Sequence, residues 1–574
     1  MCGIVGYTGY QNAKNIVVDG LKTLEYRGYD SAGIALTDDD IHLYKTAGRV
    51  EELERILPDL TTRVAIGHTR WATHGAPNAQ NAHPHISFDG QIAIVHNGVI
   101  TNCDELKKNL LARGVTFLSS TDSEIIAHLI ALEDTSDMPF AIEKVGKMLQ
   151  GATTFLAIKA GDDAIYARRF GASLAVGIGE KENFVASDTL AISKHTRKIV
   201  LLQDGECAKI TPRGVLFFKD GKTISKQTMK IKRVAPKECS CHMRSEIDEI
   251  PDAMSRTYRE ITHSLDIKSV QKIKSARKIY FCGCGTAYHA GLYGKYVFEK
   301  LLGIPCETVV ASEFDSEKFI DEDSVCIFIT QSGETADTLI ALSECKKAGA
   351  TTIAITNVNG SSICFEADKT FLLDAGAEVA VAATKSYNCQ LLALYLIAKK
   401  CAEKDFSQED MAKLIQAIRD CQMPVLYEEK IKKANLFFVG KGVDNVTARE
   451  GALKFKEITY KMTDAYQAGE LKHGAIALID DKSVVITIIT DSSDKHRIEA
   501  TISELRSRGA YVIALSSVGD VGANKTTYLP FVKDELLYPI LSVLPLQNLA
   551  LTASLCLNLN PDKPRNLAKS VTVI

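Results

Sequence analysis

Residues 279–291 read IYFCGCGTAYHAG, and residues 436–448 repeat the pattern as LFFVGKGVDNVTA. The glycines Gly283 and Gly285 of the first stretch recur 157 positions later in the second. In both stretches an apolar run of strand length meets a glycine turn and passes into a helical pattern. Strands that alternate with helices in this way predict a parallel sheet covered on both faces. The sequence therefore predicts the same α/β unit twice.

The repeat extends to two further pairs of segments. SVCIFIT, from Ser324, is matched by SVVITIIT from Ser483, and KKAGATTIAIT, which contains Gly349, is matched by RSRGAYVIALS, which contains Gly509. A period of about 160 residues is too long for a solenoid unit and is the size of a whole doubly wound domain. We therefore expect two consecutive doubly wound α/β domains.

The N-terminal part follows a different pattern. Short β-rich runs such as VAIGH, QIAIVHNG and TFLAIK are separated by Gly and Asp turns, with helical patterns around residues 13–24 and 122–133. This indicates a sheet-dominated α+β domain. A polar stretch with two prolines then interrupts the strand alternation. The predicted boundaries are an N-terminal domain at 1–235, a linker at 236–256, a first α/β domain at 257–420 and a second at 425–574.

Composition excludes several classes of partner. The chain has 68 basic and 71 acidic residues and a formal net charge of -3, so no excess of positive charge favours nucleic acid or an anionic membrane. Neither a signal peptide nor an apolar run of membrane-spanning length is found, which predicts the cytoplasm, where the fifteen cysteines would be reduced thiols. The groups Cys239/Cys241/His242 and Cys282/Cys284 lack a second ligand pair at zinc spacing, so we expect no metal and no cofactor.

The first residues carry a candidate nucleophile. Removal of Met1 would leave Cys2 as the N-terminus, and an α-amine with a pKa of about 8 can take the proton of the neighbouring thiol. Read alone, Cys2 fits equally well as a small apolar residue that begins a buried strand.

Four later segments supply the other groups of an amide-hydrolysing site. They read RGYDSAG (27–33), HTRWATHG (68–75), HNG (96–98) and STDSE (120–124). Together with Cys2 they resemble the class II glutamine amidotransferases, whose domain is an N-terminal-nucleophile hydrolase of αββα architecture. The resemblance covers the predicted N-terminal domain.

This resemblance implies a role for each matching residue. Cys2 attacks the γ-carboxamide of glutamine, and the Asn97 side chain and the Gly98 N–H receive the oxyanion. Arg70 binds the substrate carboxylate in a bidentate fork, and Asp122 binds its α-ammonium. The remaining implied residues gate or shape the glutamine site and are Trp71, Thr73, His74 and His83.

A hydroxyl-rich turn follows the strand VCIFIT of the first α/β unit, where residues 330–338 read TQSGETADT. Ser and Thr hydroxyls, together with the first N–H groups of a helix, can hold a phosphomonoester without lysine. The GxxxxGK[ST] pattern of nucleoside triphosphate sites does not occur in the sequence. We call residues 330–335 the cradle loop. A plain helix-capping turn is the alternative interpretation.

In the second unit the segment EGALKFKE places Glu450, Lys454 and Glu457 on one face of a helix. An exposed ladder of ion pairs would have the same spacing. AGELKHG (468–474) and PRNLAKSVTV (564–573) favour a site, because both resemble signature segments of the isomerising glutamine:fructose-6-phosphate aminotransferase family. With them the resemblance covers essentially the whole chain.

The family resemblance implies conversion of D-fructose 6-phosphate and L-glutamine into D-glucosamine 6-phosphate and L-glutamate, for amino-sugar synthesis. Ammonia from Cys2 would reach the sugar through a closed passage, in a homodimer. Lys569 would form a Schiff base with the C2 ketone, Glu457 would move a proton from C1 to C2, and His473 from the neighbouring subunit would assist ring opening. The other implied sugar-phosphate residues are Thr286, Thr330, Gln331, Ser332, Thr335, Val381, Lys454 and Ala568.

Two positions depart from the family pattern. Ala287 and Ala383 stand where serines are common, and each removes a hydroxyl that could contact the sugar. The long insertion of eukaryotic members is missing, so we do not expect feedback control by a nucleotide sugar.

Two other enzyme classes share the N-terminal domain type, the phosphoribosyl-pyrophosphate amidotransferases and the asparagine synthetases. Each would need a second half with an acidic phosphoribosyl-pyrophosphate loop or an SGGxDS-type ATP loop, and the sequence contains neither. A deglycase or amine-sugar deaminase would have no use for Cys2. A non-catalytic sugar-phosphate sensor would not need Glu457, His473 and Lys569 together.

Overall fold

Two antiparallel sheets form the N-terminal domain. The computed structural model of the chain describes residues 2–71, 75–231, 239–315, 320–424 and 435–571. The strands of this domain are β1 (Gly3–Thr8), β2 (Ser31–Thr37), β3 (Ile41–Ala47), β4 (Val64–Arg70), β5 (His85–Ile86), β6 (Ile92–Gly98), β7 (Thr153–Lys159), β8 (Ile165–Arg168), β9 (Ala175–Ile178), β10 (Asn183–Ala186), β11 (Lys198–Leu201), β12 (Cys207–Thr211), β13 (Gly214–Lys219), β14 (Lys222–Ile224) and β15 (Met229–Lys230). Its helices are α1 (Ala13–Leu24), α2 (Val50–Ile56), α3 (Cys103–Ala112), α4 (Glu124–Ala131) and α5 (Met138–Met148).

The two sheets pack face to face with helices outside. The first sheet has the order β15-β11-β9-β10-β1-β4-β2-β3 and the second β14-β13-β12-β8-β7-β6-β5. Ile4, Ile66 and Leu156 meet between the sheets, whereas Val5, the next residue along β1, faces outward onto Val17 of α1. Helices α3 to α5 cover the second sheet in the same way. The predicted αββα architecture is confirmed, and α1 and α4 lie where the helical patterns were expected.

The interval predicted as a linker is largely helical. It contains α6 (His242–Asp248) and the start of α7 (Ile250–Ser264), while residues 236–238 lie outside the described residues. Met243, Ile247 and Met254 lie on one face of this helical stretch and are at most 6% exposed, in the core of the first α/β domain. This narrow apolar stripe was missed because most residues of the interval are polar. Pro251 falls in the first turn of α7, a position that tolerates proline.

Each α/β domain contains a five-stranded parallel sheet. The strands are β16 (Lys278–Gly283), β17 (Cys306–Val310), β18 (Ser324–Thr330), β19 (Thr351–Thr356) and β20 (Lys369–Leu372), then β21 (Asn435–Gly440), β22 (Thr463–Gln467), β23 (Ser483–Ile489), β24 (Tyr511–Ser516) and β25 (Lys525–Tyr528). The helices are α8 (Ile267–Lys274), α9 (Thr286–Leu302), α10 (Ala336–Lys347), α11 (Ile363–Glu366), α12 (Lys385–Cys401), α13 (Gln408–Arg419), α14 (Val443–Thr459), α15 (Lys495–Ser507) and α16 (Tyr538–Cys556).

The duplication is visible in the topology. The sheet orders are β17-β16-β18-β19-β20 and β22-β21-β23-β24-β25, so both domains have the 2-1-3-4-5 order of a doubly wound fold. One hydrophobic core joins them, and it includes residues of α9 and α12 from the first domain and of α14 and α16 from the second. Among the described residues only Glu535–Cys556 is long and apolar enough to cross a membrane, and 94% of its apolar window is buried inside the protein.

The chain end after α16 crosses the molecule without helix or strand. We call residues 557–571 the tail. Asp562 accepts hydrogen bonds at 2.8 and 2.7 Å from the first two N–H groups of α6. Lys563 pairs with Glu25 of the N-terminal domain at 2.7 Å, and Arg565 lies over the ring of Tyr460 with 4.4 Å to the ring centre. The tail therefore touches all three domains.

Candidate active sites

Cys2 lies directly before β1, an inner strand of the eight-stranded sheet. Its Sγ accepts a hydrogen bond from the Trp71 backbone N–H at 3.4 Å. Asn97 Nδ2 donates to the Cys2 carbonyl oxygen at 3.3 Å. Burial raises the pKa of the Cys2 thiol, and Arg70 offsets part of this effect. A thiol in this setting needs a proton acceptor before it can act as a nucleophile.

Asn97 and Gly98 end β6 beside Cys2. His68 Nε2 lies 3.1 Å from Asn97 Oδ1, which leaves the amide NH2 directed at the Cys2 backbone. Gly98 has φ +139°, and a Cβ at this position would lie 1.8 Å from the Ala152 carbonyl oxygen. Only glycine fits there, because the end of β6 lies directly against the backbone of Ala152.

Arg70 and Asp122 flank the same region. The Arg70 guanidinium donates to the carbonyl oxygens of Gly75 and Ala76 at 3.2 and 3.3 Å, and Asp122 accepts from the Ile100 N–H at 2.8 Å. Burial lowers the pKa of Arg70, and the charges of Cys2 and Asp122 act against this lowering. The cation and the carboxylate can therefore take the two ends of an amino acid placed between them.

His83 is a packing and hydrogen-bonding residue in this structure. Its ring stacks on His68 at 4.1 Å between ring centres, and its Nδ1 accepts the His96 backbone N–H at 3.3 Å. Burial holds the pKa of His83 well below its usual value, so the ring is neutral at pH 7. Trp71 meets the edge of Tyr29 at 5.7 Å between ring centres.

Two of the predicted glutamine-site residues, Thr73 and His74, lie outside the described residues. Across the described residues no group of three or more His, Cys, Asp or Glu side chains is arranged to hold a metal ion.

The cradle loop connects the end of β18 to the start of α10. Thr330 and Thr335 bring their hydroxyls to 3.4 Å from each other, and the Gly333 N–H donates to Thr330 Oγ1 at 3.2 Å. Gly333 has φ +72°, and a Cβ there would lie 2.0 Å from Ser361 Oγ. The turn thus gathers hydroxyls and a helix N-terminus at the carboxyl end of a parallel strand, where doubly wound sheets bind ligands.

The tail lies against the cradle loop. Ser570 Oγ lies 2.8 Å from Ser332 Oγ, and the Val571 carbonyl oxygen accepts the first N–H of α10 at 2.9 Å. Lys569, next to the partly buried Ala568, pairs with Glu378 at 2.6 Å. The Val381 N–H donates to the carbonyl oxygen of Asp562 in the tail at 3.0 Å, and the Gln331 carbonyl accepts the Asn357 N–H at 3.1 Å.

A buried charge network joins the two α/β domains. Lys454 lies 3.3 Å from Glu450 and 2.7 Å from Glu457 on one face of α14. Thr286 and His289 of α9 both donate to Glu450, at 3.1 and 2.7 Å. Glu450 and Lys454 are fully buried, whereas Glu457 is 20% exposed. Burial would lower the pKa of Lys454, but the two carboxylates raise it above its usual value.

His473 lies apart from this network. It is exposed on a short 3-10 turn, Glu470–His473, and within the described part of the chain its side chain makes no hydrogen bond or ion pair. The structure therefore does not join it to Lys454 or Glu457 of the same chain.

Sequence reasoning missed two residues of these sites. His289 lies one helical turn after Thr286, and Glu378 follows β20 by six residues, at the carboxyl edge of the sheet. Ligands of doubly wound domains bind at the carboxyl ends of the parallel strands, which indicates the region of Glu378 but does not distinguish it from other loop residues. The spacing of His289 marks a shared helix face but not its partner in the other domain.

Two cavities lie between the N-terminal domain and the first α/β domain. Their volumes are about 60 and 220 Å³, and both are lined by Leu190, Ala377 and Glu378. The larger one also reaches Tyr29 and Lys563. Tyr29 contacts Trp71 of the first candidate site, and Glu378 pairs with Lys569 of the second.

Comparison with known families assigns these parts. A SIS domain model matches residues 272–400 and again 431–557, and a glutamine amidotransferase domain model matches residues 58–146. The C-terminal domain of glucosamine-fructose-6-phosphate aminotransferase from Francisella tularensis is similar to 57% of this chain and all of that one, with 29% identity and a TM-score of 0.50. Tagatose-6-phosphate ketose/aldose isomerase from Escherichia coli, 18% identical with a TM-score of 0.51, supports the fold alone over 57% of this chain and 98% of its own.

A glutamine amidotransferase domain followed by two SIS domains defines a glutamine-dependent enzyme with a sugar isomerase half. Full-length relatives give the particular family. The chain is 42% identical to glutamine–fructose-6-phosphate aminotransferase (isomerizing) from Clostridium tetani and 39% identical to that from Thermus thermophilus, with 100% of each chain covered. The chain belongs to the family of isomerising glutamine–fructose-6-phosphate aminotransferases, which confirms the resemblance first seen in its motifs.

Proposed function

We propose that the chain transfers the amide nitrogen of L-glutamine to D-fructose 6-phosphate and releases L-glutamate and D-glucosamine 6-phosphate, a precursor for amino-sugar synthesis. The observation that carries this proposal is the position of the tail. It runs from Tyr460, three residues beyond Glu457, to the cradle loop, and it carries Lys569 between them. The tail thus contacts both the cradle loop and the end of the helix that carries Glu457.

In the N-terminal half, the thiol of Cys2 attacks the γ-carboxamide carbon of glutamine once its α-amine, freed by removal of Met1, has taken the proton. The Asn97 amide and the Gly98 N–H stabilise the oxyanion. Protonation of the leaving nitrogen releases ammonia, and water hydrolyses the thioester to glutamate. Arg70 and Asp122 hold the two ends of the substrate. The groups that close or shape the pocket are Trp71, Thr73, His74 and His83.

In the C-terminal half, His473 of the neighbouring subunit assists ring opening of the sugar. Lys569 forms a Schiff base at C2, ammonia replaces the lysine, and Glu457 moves a proton from C1 to C2. Lys454 holds Glu457 in place through an ion pair at 2.7 Å. The residues that bind the sugar phosphate are Thr286, Thr330, Gln331, Ser332, Thr335, Val381 and Ala568.

The proposed enzyme is a homodimer of three-domain chains. The chain divides at 1–235, 257–420 and 425–574, and it works without cofactor as a cytoplasmic homodimer that binds neither nucleic acid nor membrane. The fifteen free cysteines support the cytoplasmic location. The exposed His473, which has no side-chain partner among the described residues of its own chain, supports the dimer. The cavities lined by Glu378 form part of the passage for ammonia.

The test is to mix the protein with glutamine and fructose 6-phosphate and to measure glutamate and glucosamine 6-phosphate by chromatography. Both products are expected in equal amounts, and glutamate formation should rise when the sugar is added. Cys2→Ala should abolish glutamine use but leave sugar isomerisation. Glutamate without any amino sugar would contradict the proposal.

The shared site predicts complementation between subunits. His473→Ala and Glu457→Gln should each be inactive alone. An equal mixture that has exchanged subunits should recover up to about a quarter of wild-type activity, because about half of its dimers are hybrids and one of the two sites in each hybrid carries both intact residues. No recovery in verified hybrid dimers would place His473 in the site of its own chain.

A further inference from the structure

We propose that Glu378 exchanges a proton with Lys569, making it the neutral amine that attacks the sugar carbonyl and later returning that proton to the departing oxygen. This inference rests on the proposed function, in which Lys569 forms the Schiff base. Glu378 is then a catalytic residue, because its carboxylate contacts the reacting nitrogen.

The contact is short and excluded from water. Lys569 Nζ lies 2.6 Å from Glu378 Oε2, and the two side chains are 3% and 0% exposed. Among the described residues Glu378 is the only hydrogen-bond or ion-pair partner of Lys569. A proton can pass directly between two groups at this distance.

The carboxylate is fixed by the start of α12. Glu378 Oε1 accepts the N–H groups of Thr384 and Ser386, both at 3.0 Å, and Ser386 Oγ donates to Oε2 at 2.6 Å. The N-terminus of a helix favours negative charge. Oε1 is thus held by backbone, while Oε2 faces the lysine. Although burial alone would raise it, the adjacent Lys569 ammonium and Ser386 keep the pKa of Glu378 below its usual range while the ion pair is intact.

A second buried acid lies beside the first and behaves differently. Glu246 accepts the N–H groups of Val379 and Ala380 in the same loop and does not hydrogen-bond Lys569. Burial, together with the charge of Glu378, raises the pKa of Glu246 to about 8. Glu246 is therefore neutral at pH 7 and serves as a matched control for Glu378.

The resting ion pair explains why a proton acceptor is needed. An ammonium has no lone pair, so Lys569 must lose one proton, and Oε2 of Glu378 receives it. The amine nitrogen then bonds to C2 as the C–O π pair moves to oxygen, and a second N–H proton transfers to that oxygen. Glu378 protonates the resulting hydroxyl, the C–O bond breaks, and water leaves. The nitrogen lone pair forms the iminium, whose positive charge again faces the Glu378 carboxylate.

A purely structural ion pair is the competing explanation, because a buried pair that loses one partner can destabilise the surrounding fold. The experiment therefore measures bond formation directly. Enzyme and saturating fructose 6-phosphate are mixed without glutamine, borohydride reduces the Schiff base, and mass spectrometry follows the covalent adduct on Lys569 over time. The variants are Glu378→Gln, Glu378→Asp, Glu246→Gln and Lys569→Ala.

The wild type should be labelled at Lys569, and Glu378→Gln should be labelled at least about 100-fold more slowly, the usual contribution of general acid–base catalysis. Glu378→Asp should recover to within about tenfold, because it restores a carboxylate with a shorter reach. Glu246→Gln should stay within about threefold, since it replaces a neutral acid by a neutral amide. Basal glutaminase activity and sugar-phosphate affinity check the fold of each variant.

Labelling of Glu378→Gln at the wild-type rate would overturn the role of Glu378 and leave that of Lys569 intact. Labelling that persists in Lys569→Ala, or is absent from the wild type, would overturn the Schiff base at Lys569 and this inference with it. If Glu378→Gln fails to fold, Glu378→Ser takes its place, because it also removes the carboxylate, and labelling of a folded Ser variant at the wild-type rate would overturn the role of Glu378.

Discussion

The two α/β domains share one topology but differ where a ligand would bind. In the first, Ser332 and Thr335 of the cradle loop present hydroxyls beside the start of α10. The corresponding sequence positions after β23 in the second domain are Asp491 and Asp494, and Lys441 forms an ion pair with Asp494 at 2.6 Å. Carboxylates at these positions would repel a phosphate, and the nearby lysine is already paired with one of them. Under the proposed function the first copy binds the phosphate and the second does not.

The helices after the first strand of each sheet, α9 and α14, also differ, but here the second domain carries the candidate catalytic residues. On α14 the second domain carries Glu450 and Glu457 with their lysine, whereas Tyr293 and Lys300 occupy the corresponding positions of α9. Because α9 and α14 pack together, Thr286 of the first copy contacts Glu450 of the second. Under the proposed function the two copies have divided the roles between them, so that neither one holds a complete site.

The largest effect is expected from Glu457→Gln. Loss of the proton-moving carboxylate should lower kcat for glucosamine 6-phosphate formation by about 100- to 10,000-fold, with sugar-phosphate affinity retained. The matched control is Lys300→Gln, at the corresponding position of α9, which should stay within about twofold. Steady-state kinetics and calorimetric binding measure both. Equal losses in the two variants would refute the division between the copies.

Ser332→Asp copies the second loop into the first and should come next in size. A carboxylate facing the phosphate should weaken sugar-phosphate binding by at least about 100-fold, because like charges at close range cost several kcal/mol. Basal glutaminase activity should be unchanged. Ser492→Asp adds the same charge to the second loop and should leave binding alone. Tight binding by Ser332→Asp would mean that the phosphate lies elsewhere.

His289→Leu tests the contact across the two copies. It removes one hydrogen bond to the buried Glu450 carboxylate, which should lower kcat by about tenfold while KM changes little. His289→Asn can still donate and should recover most of the rate. A pH–rate profile should shift in the Leu variant only. An Asn variant as slow as Leu would indicate that His289 acts through packing.

The smallest effect is expected when Asp491 and Asp494 are replaced by Ser and Thr. The ion pair that this removes is partly exposed, so the free energy of unfolding should fall by about 1 kcal/mol or less, and kcat should stay within about twofold. Sugar-phosphate stoichiometry should remain one per chain, because Asp444 still occupies the end of the loop at 2.6 Å from Thr490. A stoichiometry of two would show that the acids alone keep the second copy empty.

Local patterns predicted the parts of the molecule that depend on neighbouring residues. The glycine turns gave the duplication, α1 was expected over the residues it occupies, and the hydroxyls of 330–335 marked the cradle loop. The contacts of the tail could not be predicted, since the Tyr29 hydroxyl donates to the Pro564 carbonyl across 535 positions of sequence. Glu378 was missed for the same reason, because its ion-pair partner is a lysine 191 positions away in the sequence.

The path of the tail has a consequence for how ligand binding can be observed. The Arg565 N–H donates to the Tyr460 hydroxyl, and the first N–H of α10 donates to the Val571 carbonyl. Both amides depend on one segment that is also tied to Glu25. Hydrogen–deuterium exchange at these two amides should therefore slow together when a ligand at either site steadies the tail, so that two peptides report on the whole enzyme.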